Sequence, residues 1–425
     1  EAGQPSLKQQ VQTELAKQGT EVGEVNGRQG YVKVGPDGRK VVTTANDPEA
    51  LPAQERGHDE IHTVSGPTIG VSYRPDAFGT AHGSHDLKSL NQYSEGKPPG
   101  EALIPKTLPH ALADLEFPEK PKDPSASKKR EFDESVARIN ERVIQSRKNA
   151  DAMSELSGLD GLYLTGAPSA IHKQDENGSK AINVPKPSEK AKIAERDSRA
   201  DFEHSLLASA RTLGMPVLAV CAGCWRVAEA YGGYTEVLPD DIRSRHYNPG
   251  VDTWKTSHGV SVEPNSFLSS TIPDASGELE RVNSTHWASV GDFESAGKKL
   301  SEKTPARLKE LQASQKLPST PSDELSVAAR EKVEAVGQVG HIEAFESNNG
   351  LVTGVQWHPE SYLPGMPGFD GADEKSVRQA DALFRQFYEK SNTYNNKKRV
   401  NSEIKNGNYK LLDFRHSGGA SGNGK

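Results

Sequence analysis

The sequence predicts an α/β fold: a mostly parallel sheet covered by helices, with a nucleophile elbow, polar insertions and polar tails. Three observations carry that expectation. Short apolar runs bounded by Gly or Pro alternate with helical periodicities, the pattern of strand–helix–strand units around a parallel sheet. One such unit, MPVLAVCAGCWRVAEAYGG over 215–233, sets a cysteine between its strand and its helix. The chain has 425 residues, enough for one large domain with long appendages.

Residues 1–65 are polar and rich in Gly, Gln and Glu. Within them GYVKVGPDGRKVVTT (30–44) reads as a hairpin, with alternating apolar residues around Pro36-Asp37-Gly38. TIGVSYR (68–74) is a first buried strand, and EALIPKTLPHALADL (101–115) begins as a second. The stretch 118–150 opens as a Pro/Lys/Ser linker and becomes a charged helix. LDGLYLTG (159–166) is a strand bounded by Gly, and 172–200 is expected as a polar loop. In DFEHSLLASARTLG (201–214), Phe202, Leu206, Ser209 and Leu213 recur at helical spacing and Gly214 is the stop. The strand MPVLAV (215–220) and the helix AGCWRVAEAYGG (222–233) follow.

The later part adds VSVEPNSFL (260–268), LERVNSTHWASV (279–290), HIEAFES (341–347) and LVTGVQWHPE (351–360). ADALFRQFYEKS (380–391) is a closing helix. Residues at about 116–150 and 292–323 read as insertions, expected to be solvated helices, and 392–425 as a polar, disordered tail. No internal repeat is found.

Composition excludes several classes of function. The net charge is −7 with acids and bases interspersed, so there is no basic patch for nucleic acid. Two cysteines make neither a secreted disulfide framework nor a four-cysteine zinc site. No apolar run approaches the ~20 residues of a membrane span. A cytoplasmic protein without cofactor or metal is expected. The chain begins at Glu1, not Met, so a missing leader says little about the gene product.

Cys221 sits in a strand–turn–helix setting, that of a nucleophile elbow. The tight turn needs small residues two before and two after, and Ala219 and Gly223 stand there. A helix N-terminus favours a thiolate and offers N–H groups to an oxyanion. A nucleophile needs a base and an orienting group. His358 and Glu360 of GVQWHPE are two residues apart at a strand end, where alternate side chains point the same way. Ala222 can give one oxyanion-hole N–H, and the Gly166-Ala167 turn the other.

At this point the sequence resembles the class I glutamine amidotransferase superfamily. LDGLYLTGAPS, MPVLAVCAGCWRVAEAYGGY, VNSTHWASV, GHIEAFES and GVQWHPES carry the resemblance, over roughly 68–391. They look most like the branch of gamma-glutamyl hydrolase and gamma-glutamyl-gamma-aminobutyrate hydrolase. The resemblance implies a three-layer, flavodoxin-like hydrolase domain over 66–391. It also implies a Cys221–His358–Glu360 triad cleaving a gamma-glutamyl or related amide through a thioester.

Departures touch the glutamyl pocket rather than the triad. Trp225 stands where the family usually has glutamine, and the usual H-H-Q is His286-Trp287-Ala288. The second Gly of LTGG is Ala167. Trp225, His286 and Trp287 are therefore candidate substrate contacts in an altered pocket. Trp225 and Trp287 also fit as plain core aromatics.

Other readings stand beside this one. Cys221-x-x-Cys224 fits a redox pair or a regulatory disulfide, whereas Cys224 alone fits as a small packing residue. In GHDEIH (57–62) Glu60 is in the wrong place for a metalloprotease H-E-x-x-H helix and the segment lies in a polar leader, and His82, His85 and Asp86 are a metal candidate read more simply as loop. Asn177 and Asn283 begin formal glycosylation sequons that carry no weight here. The alternatives to a hydrolase are a non-catalytic or regulatory binding protein on the same scaffold and a glutaminase or amidotransferase partner subunit. Expected partners are a small or peptide gamma-glutamyl substrate, no nucleic acid and no membrane. The insertions are candidate protein-binding elements, and a homodimer is open.

Overall fold

The central element is an 11-stranded mixed sheet whose middle is parallel. It is seen in a computed structural model that describes residues 23–25, 28–34, 40–43, 66–74, 90, 92–93, 102–115, 118, 121–122, 125–166, 187–233, 235–246, 258–272, 278–286, 288–291, 324–334, 338–363 and 372–405. The chain divides into two units, one of residues 1–67, 93–104 and 388–425, the other of 68–92 and 105–387. The first holds a three-stranded antiparallel sheet of β1 (Gly23–Val25), β2 (Arg28–Val34) and β3 (Lys40–Thr43). In it Tyr31 lies opposite Thr43 and Val34 opposite Lys40.

The second unit carries the large sheet. Its parallel core runs β4 (Thr68–Ser72), β6 (Gly161–Leu164), β7 (Val217–Val220), β14 (Val352–Val355). β5 (Ile104–Leu108) lies beyond β4. β6, β7 and β14 are buried along their whole length, as unbroken apolar runs covered on both faces should be. From β14 the sheet continues antiparallel as a wing: β13 (Ile342–Ser347), β12 (Leu325–Glu331), β9 (His258–Val262), β10 (Glu278–Val282). β11 (Ala288–Val290) branches from β13 and pairs with β8 (Thr235–Val237).

Adjacent residues of β6 show the layers, because neighbours on a strand face opposite ways. On the Leu164 side, α4 (Ala222–Ala230) rests its Gly223 on the Leu164 carbonyl. On the Tyr163 side, Phe384 of α7 (Glu374–Lys405) meets Tyr163 edge to face at 5.9 Å. α3 (Pro187–Leu213) packs beside α4, α1 (Ala126–Asn149) and α2 (Ala152–Leu156). The expected α/β class, with helices on both faces of a sheet parallel at its centre, is the one observed.

Several expectations need correction. The loop expected over 172–200 is helix from Pro187 onward, so α3 begins fourteen residues before the apolar periodicity does. Its early buried face is polar: Arg196, Ser198 and Arg199 are buried and bonded, with Arg199 Nε donating to Glu203 Oε1 at 2.7 Å. An apolar-stripe criterion cannot see such a face. The expected solvated helix of 118–150 is partly core. Val143 and Arg147 are buried, and Arg147 donates to the Tyr73 carbonyl, Glu195 and Ser198. The expected disordered tail from 392 is helical as far as Lys405. VSVEPNSFL ends its strand at Val262 and turns into α6 (Phe267–Thr271), capped by Ser266. Residues 283–286 interrupt LERVNSTHWASV after β10. β8, β12 and α5 (Asp240–His246) have no counterpart among the expected elements. No helix among the described residues is long and apolar enough to cross a membrane. The insertion 292–323, His58 to His62, His82, His85, Asp86 and Asn177 lie outside the described residues.

Candidate active site

The link between β7 and α4 is strained at one residue. Cys221 has φ 49° and ψ −111°, the only positive φ outside glycine among the described residues. Such backbone is rare for a side-chain-bearing residue and costs on the order of 1–3 kcal/mol. The surroundings hold it there. The Cys221 N–H donates to the Val355 carbonyl at 2.8 Å, and its own carbonyl accepts from the Cys224 N–H at 3.0 Å. A Cβ on Gly223 would lie 2.3 Å from the Leu164 carbonyl oxygen, so the turn closes only with glycine there. Ala219 is fully buried and lies opposite Gly354 in the β7–β14 register, two small residues beneath the elbow.

β14 delivers the partner. His358 and Glu360 follow its end, Glu360 in a short 3-10 turn over Pro359–Tyr362. The two side chains meet, His358 Nδ1 to Glu360 Oε1 at 2.6 Å, and the Cys221 side chain is a further hydrogen-bond partner of His358. All three residues are buried. The backbone of His358 is held by one side chain: its N–H donates to Asn283 Oδ1 and its carbonyl accepts from Asn283 Nδ2, each at 2.8 Å. Gly166, at the end of β6, faces the imidazole; a Cβ there would lie 2.7 Å from His358 Cε1.

Electrostatics act on His358, Glu360 and Cys224 in different ways. Burial opposes a charge on His358, but Glu360 and the Cys221 sulfur outweigh it and push the imidazole up to about 10. Burial would lift the Glu360 carboxyl, yet His358 and Arg74 hold it below the usual range. Cys224 is pushed well above an ordinary thiol by burial first, then by Cys221, Glu343 and Glu229. Cys224 therefore stays a thiol. Both cysteines are free, and the Cys224 sulfur lies 3.8 Å from Gln356 Oε1.

Of the residues singled out in the sequence, Cys221, His358, Glu360, Gly166 and Ala222 come together around the elbow. Ala222 opens α4, where a helix leaves its first N–H groups without intrahelical partners. Ala167 and Trp287 lie outside the described residues. Trp225 is buried inside α4, and its indole N–H donates to Gln356 Oε1 at 2.7 Å. His286 lies among His246, His258 and His341.

Sequence reasoning misses three supporting residues. Asn283 reads only as a sequon. Arg199 falls in the expected loop, yet it donates to the carbonyls of Thr165 and Gly166 at 2.8 and 3.0 Å and so fixes the end of β6. Gln356, inside GVQWHPE, fastens Trp225. A side-chain amide next to a valine inside a family motif is the one signal that points to Asn283 and Gln356.

The fold and this site define an α/β protein centred on a cysteine elbow. The Peptidase C26 family profile matches residues 142–360, and the chain belongs to that family. A Schizosaccharomyces pombe protein that bears a provisional name, glutamine amidotransferase, is 23% identical over 217 residues. That match covers 49% of this chain and 65% of the relative's own length. Among solved structures, a Thermoplasma acidophilum protein provisionally named as part of a GMP synthase aligns at 14% identity and TM-score 0.38, covering 80% of this chain and 98% of that one. The glutaminase domain of CTPS from Trypanosoma brucei, with bound acivicin, aligns at 13% and 0.37, covering 75% and 94%. Those structural likenesses are too distant to bear on chemistry. Family membership supports cysteine-dependent amide hydrolysis or amidotransfer as the type of activity.

Proposed function

We propose that this chain is a cysteine hydrolase that cleaves a gamma-glutamyl or related amide bond through a thioester. The observation that carries the reading is the placement of Cys221 on a strained elbow, bonded to an imidazole whose far nitrogen meets Glu360 at 2.6 Å. The Cys221 sulfur attacks the amide carbonyl carbon, and the carbonyl oxygen takes the negative charge beside the Ala222 N–H. The C–N bond breaks and the imidazolium of His358 gives its proton to the departing amine. The neutral imidazole then takes a proton from water. The resulting hydroxide attacks the thioester, the C–S bond breaks, and a free carboxylic acid leaves. Glu360 holds the imidazole in the tautomer and orientation that both steps need.

The test is a panel of gamma-glutamyl amides and peptides offered to wild type and to Cys221→Ala. Wild type should release amine from at least one member, and Cys221→Ala from none. A rapid quench should reveal wild-type protein heavier by one acyl group on Cys221. Release of amine by Cys221→Ala at the wild-type rate would refute the assignment.

A further inference from the structure

A second cluster of titratable groups lies in the antiparallel wing, built from five separate segments. His246 ends α5, His258 opens β9, His286 follows β10, Glu331 ends β12, and His341 and Glu343 lie at the start of β13. His246, His286, Glu331 and Glu343 are buried. His341 Nε2 lies 2.7 Å from Glu343 Oε1 and 3.4 Å from His286 Nε2, and His286 Nε2 lies 3.8 Å from Glu343 Oε1. One ligand atom from each of His246, His286, His341 and Glu343 falls within 4.8 Å of all the others. An ion about 2.0–2.1 Å from each of four ligands sets neighbouring ligand atoms about 3.4 Å apart, close to these spacings.

The outer atoms are arranged as metal-bound histidines usually are. His341 Nδ1 meets Glu331 Oε2 at 2.9 Å, and His286 Nδ1 meets Ser284 Oγ at 3.0 Å, so each turns its Nε2 inward. His246 departs from that pattern: it is tied at Nδ1 to Ser284 Oγ and at Nε2 to Glu331 Oε1, and it gives up one of these bonds on binding an ion. His258 Nε2 meets Glu343 Oε1 at 2.8 Å and orients that carboxylate. One observation stands apart from the cluster's own bonds: Glu343 Oε2 is buried with no hydrogen-bond partner among the described residues, on a residue only 1% exposed. A buried carboxylate oxygen left unpaired is costly and points to something that binds there.

We propose that His246, His286, His341 and Glu343 hold a divalent transition-metal ion of the zinc class. Three imidazoles and one carboxylate suit zinc or cobalt rather than magnesium or calcium. Four protein ligands close the coordination sphere, so the role is structural. The ion fixes the segment 283–286, whose Asn283 holds the backbone of His358. The Glu343 carbonyl also accepts from the Gln356 N–H at 2.7 Å, beside Trp225 and Cys224. The site therefore braces the elbow's partners without touching the reacting atoms, and its existence does not depend on the proposed substrate.

The experiment strips full-length protein with a chelator and titrates it with Co²⁺ alone, then Zn²⁺. One equivalent of Co²⁺ should bind with the intense visible absorption of a four-coordinate ion, and Zn²⁺ should abolish it. His341→Ala and Glu343→Gln should bind at least ~100-fold more weakly. Ser284→Ala, which removes the hydroxyl that fixes His286, should lose roughly 10-fold. Cys221→Ala should bind as wild type does, which separates this site from the cysteine chemistry. Wild-type protein that takes up neither ion stoichiometrically would overturn the proposal and leave a proton-sharing network instead. Uptake unchanged in folded His341→Ala would place the ion elsewhere and overturn it too. The wild-type titration decides even if a variant fails to fold.

Discussion

Two of the buried imidazole–carboxylate groupings among the described residues, at the elbow and in the wing, differ in what surrounds the imidazole. At the elbow, one histidine stands between one carboxylate and one sulfur, and both push it toward the charged form, up to about 10. In the wing, four histidines crowd two carboxylates, and His246 and His286 are driven down while His341 is driven up. His286 is driven well below its ordinary value by burial despite Glu343 beside it, while Glu343 and Glu331 overcome burial to lift His341 to about 9. A lone imidazole with a committed partner is suited to moving a proton. Several imidazoles aimed at one point are suited to sharing a cation. The difference is one of number and convergence, not of residue type.

That contrast sets what each substitution should do. The largest effect is expected from Glu360→Gln. It should lower kcat by about 10²- to 10⁴-fold by releasing the His358 tautomer, read as amine release at pH 7. Glu343→Gln, the same exchange in the wing, should affect ion binding far more than kcat. Equal kcat losses would mean that the two groupings do the same work. Asn283→Ala links the regions. Removing both bonds to the His358 backbone should cost roughly 10- to 100-fold in kcat with smaller change in KM, since it disturbs the base rather than a substrate contact. Gly223→Ala should destabilise by about 1–3 kcal/mol in urea unfolding, because its Cβ would meet the Leu164 carbonyl.

A pH dependence follows for the elbow, and His341, raised to about 9, adds one of the same sign in the wing. His358 has a folded pKa raised from 6.5 to about 10. Its contribution to stability is thus complete below about pH 6.5 and is lost as pH rises through 10. Urea unfolding between pH 6.5 and 10 should show that decline, and Glu360→Gln should flatten it. The smallest effect is expected from Cys224→Ala, which should keep kcat within about 3-fold under reducing conditions.

The elbow is legible in the sequence because its parts are contiguous or nearly so. Ala219, Cys221 and Gly223 lie within five residues, and His358 and Glu360 within three. Local spacing alone gives their relative directions. The wing cluster is not legible, because its six side chains come from five segments across nearly a hundred residues and meet only through sheet pairing. His341 and Glu343, two apart at the start of a strand, give its one local signal. His286 stands out by its family position, but its neighbours do not. The parallel core reads well because β6, β7 and β14 are buried apolar runs. The early turns of α3 and the late turns of α7 read as loop and tail because polar residues line them. Buried hydrogen bonds such as those of Arg199, and of Arg147 against it from α1, replace an apolar stripe around α3.

The central claim is that Cys221, and not Cys224, is the nucleophile. A glutamine-mimicking electrophile reacted with wild-type protein at neutral pH, followed by peptide mass analysis, measures it most directly. Cys221 should carry the label at a rate far above that of Cys224, and Glu360→Gln should slow it. Labelling of both cysteines at the same rate, or of Cys224 first, would contradict the account.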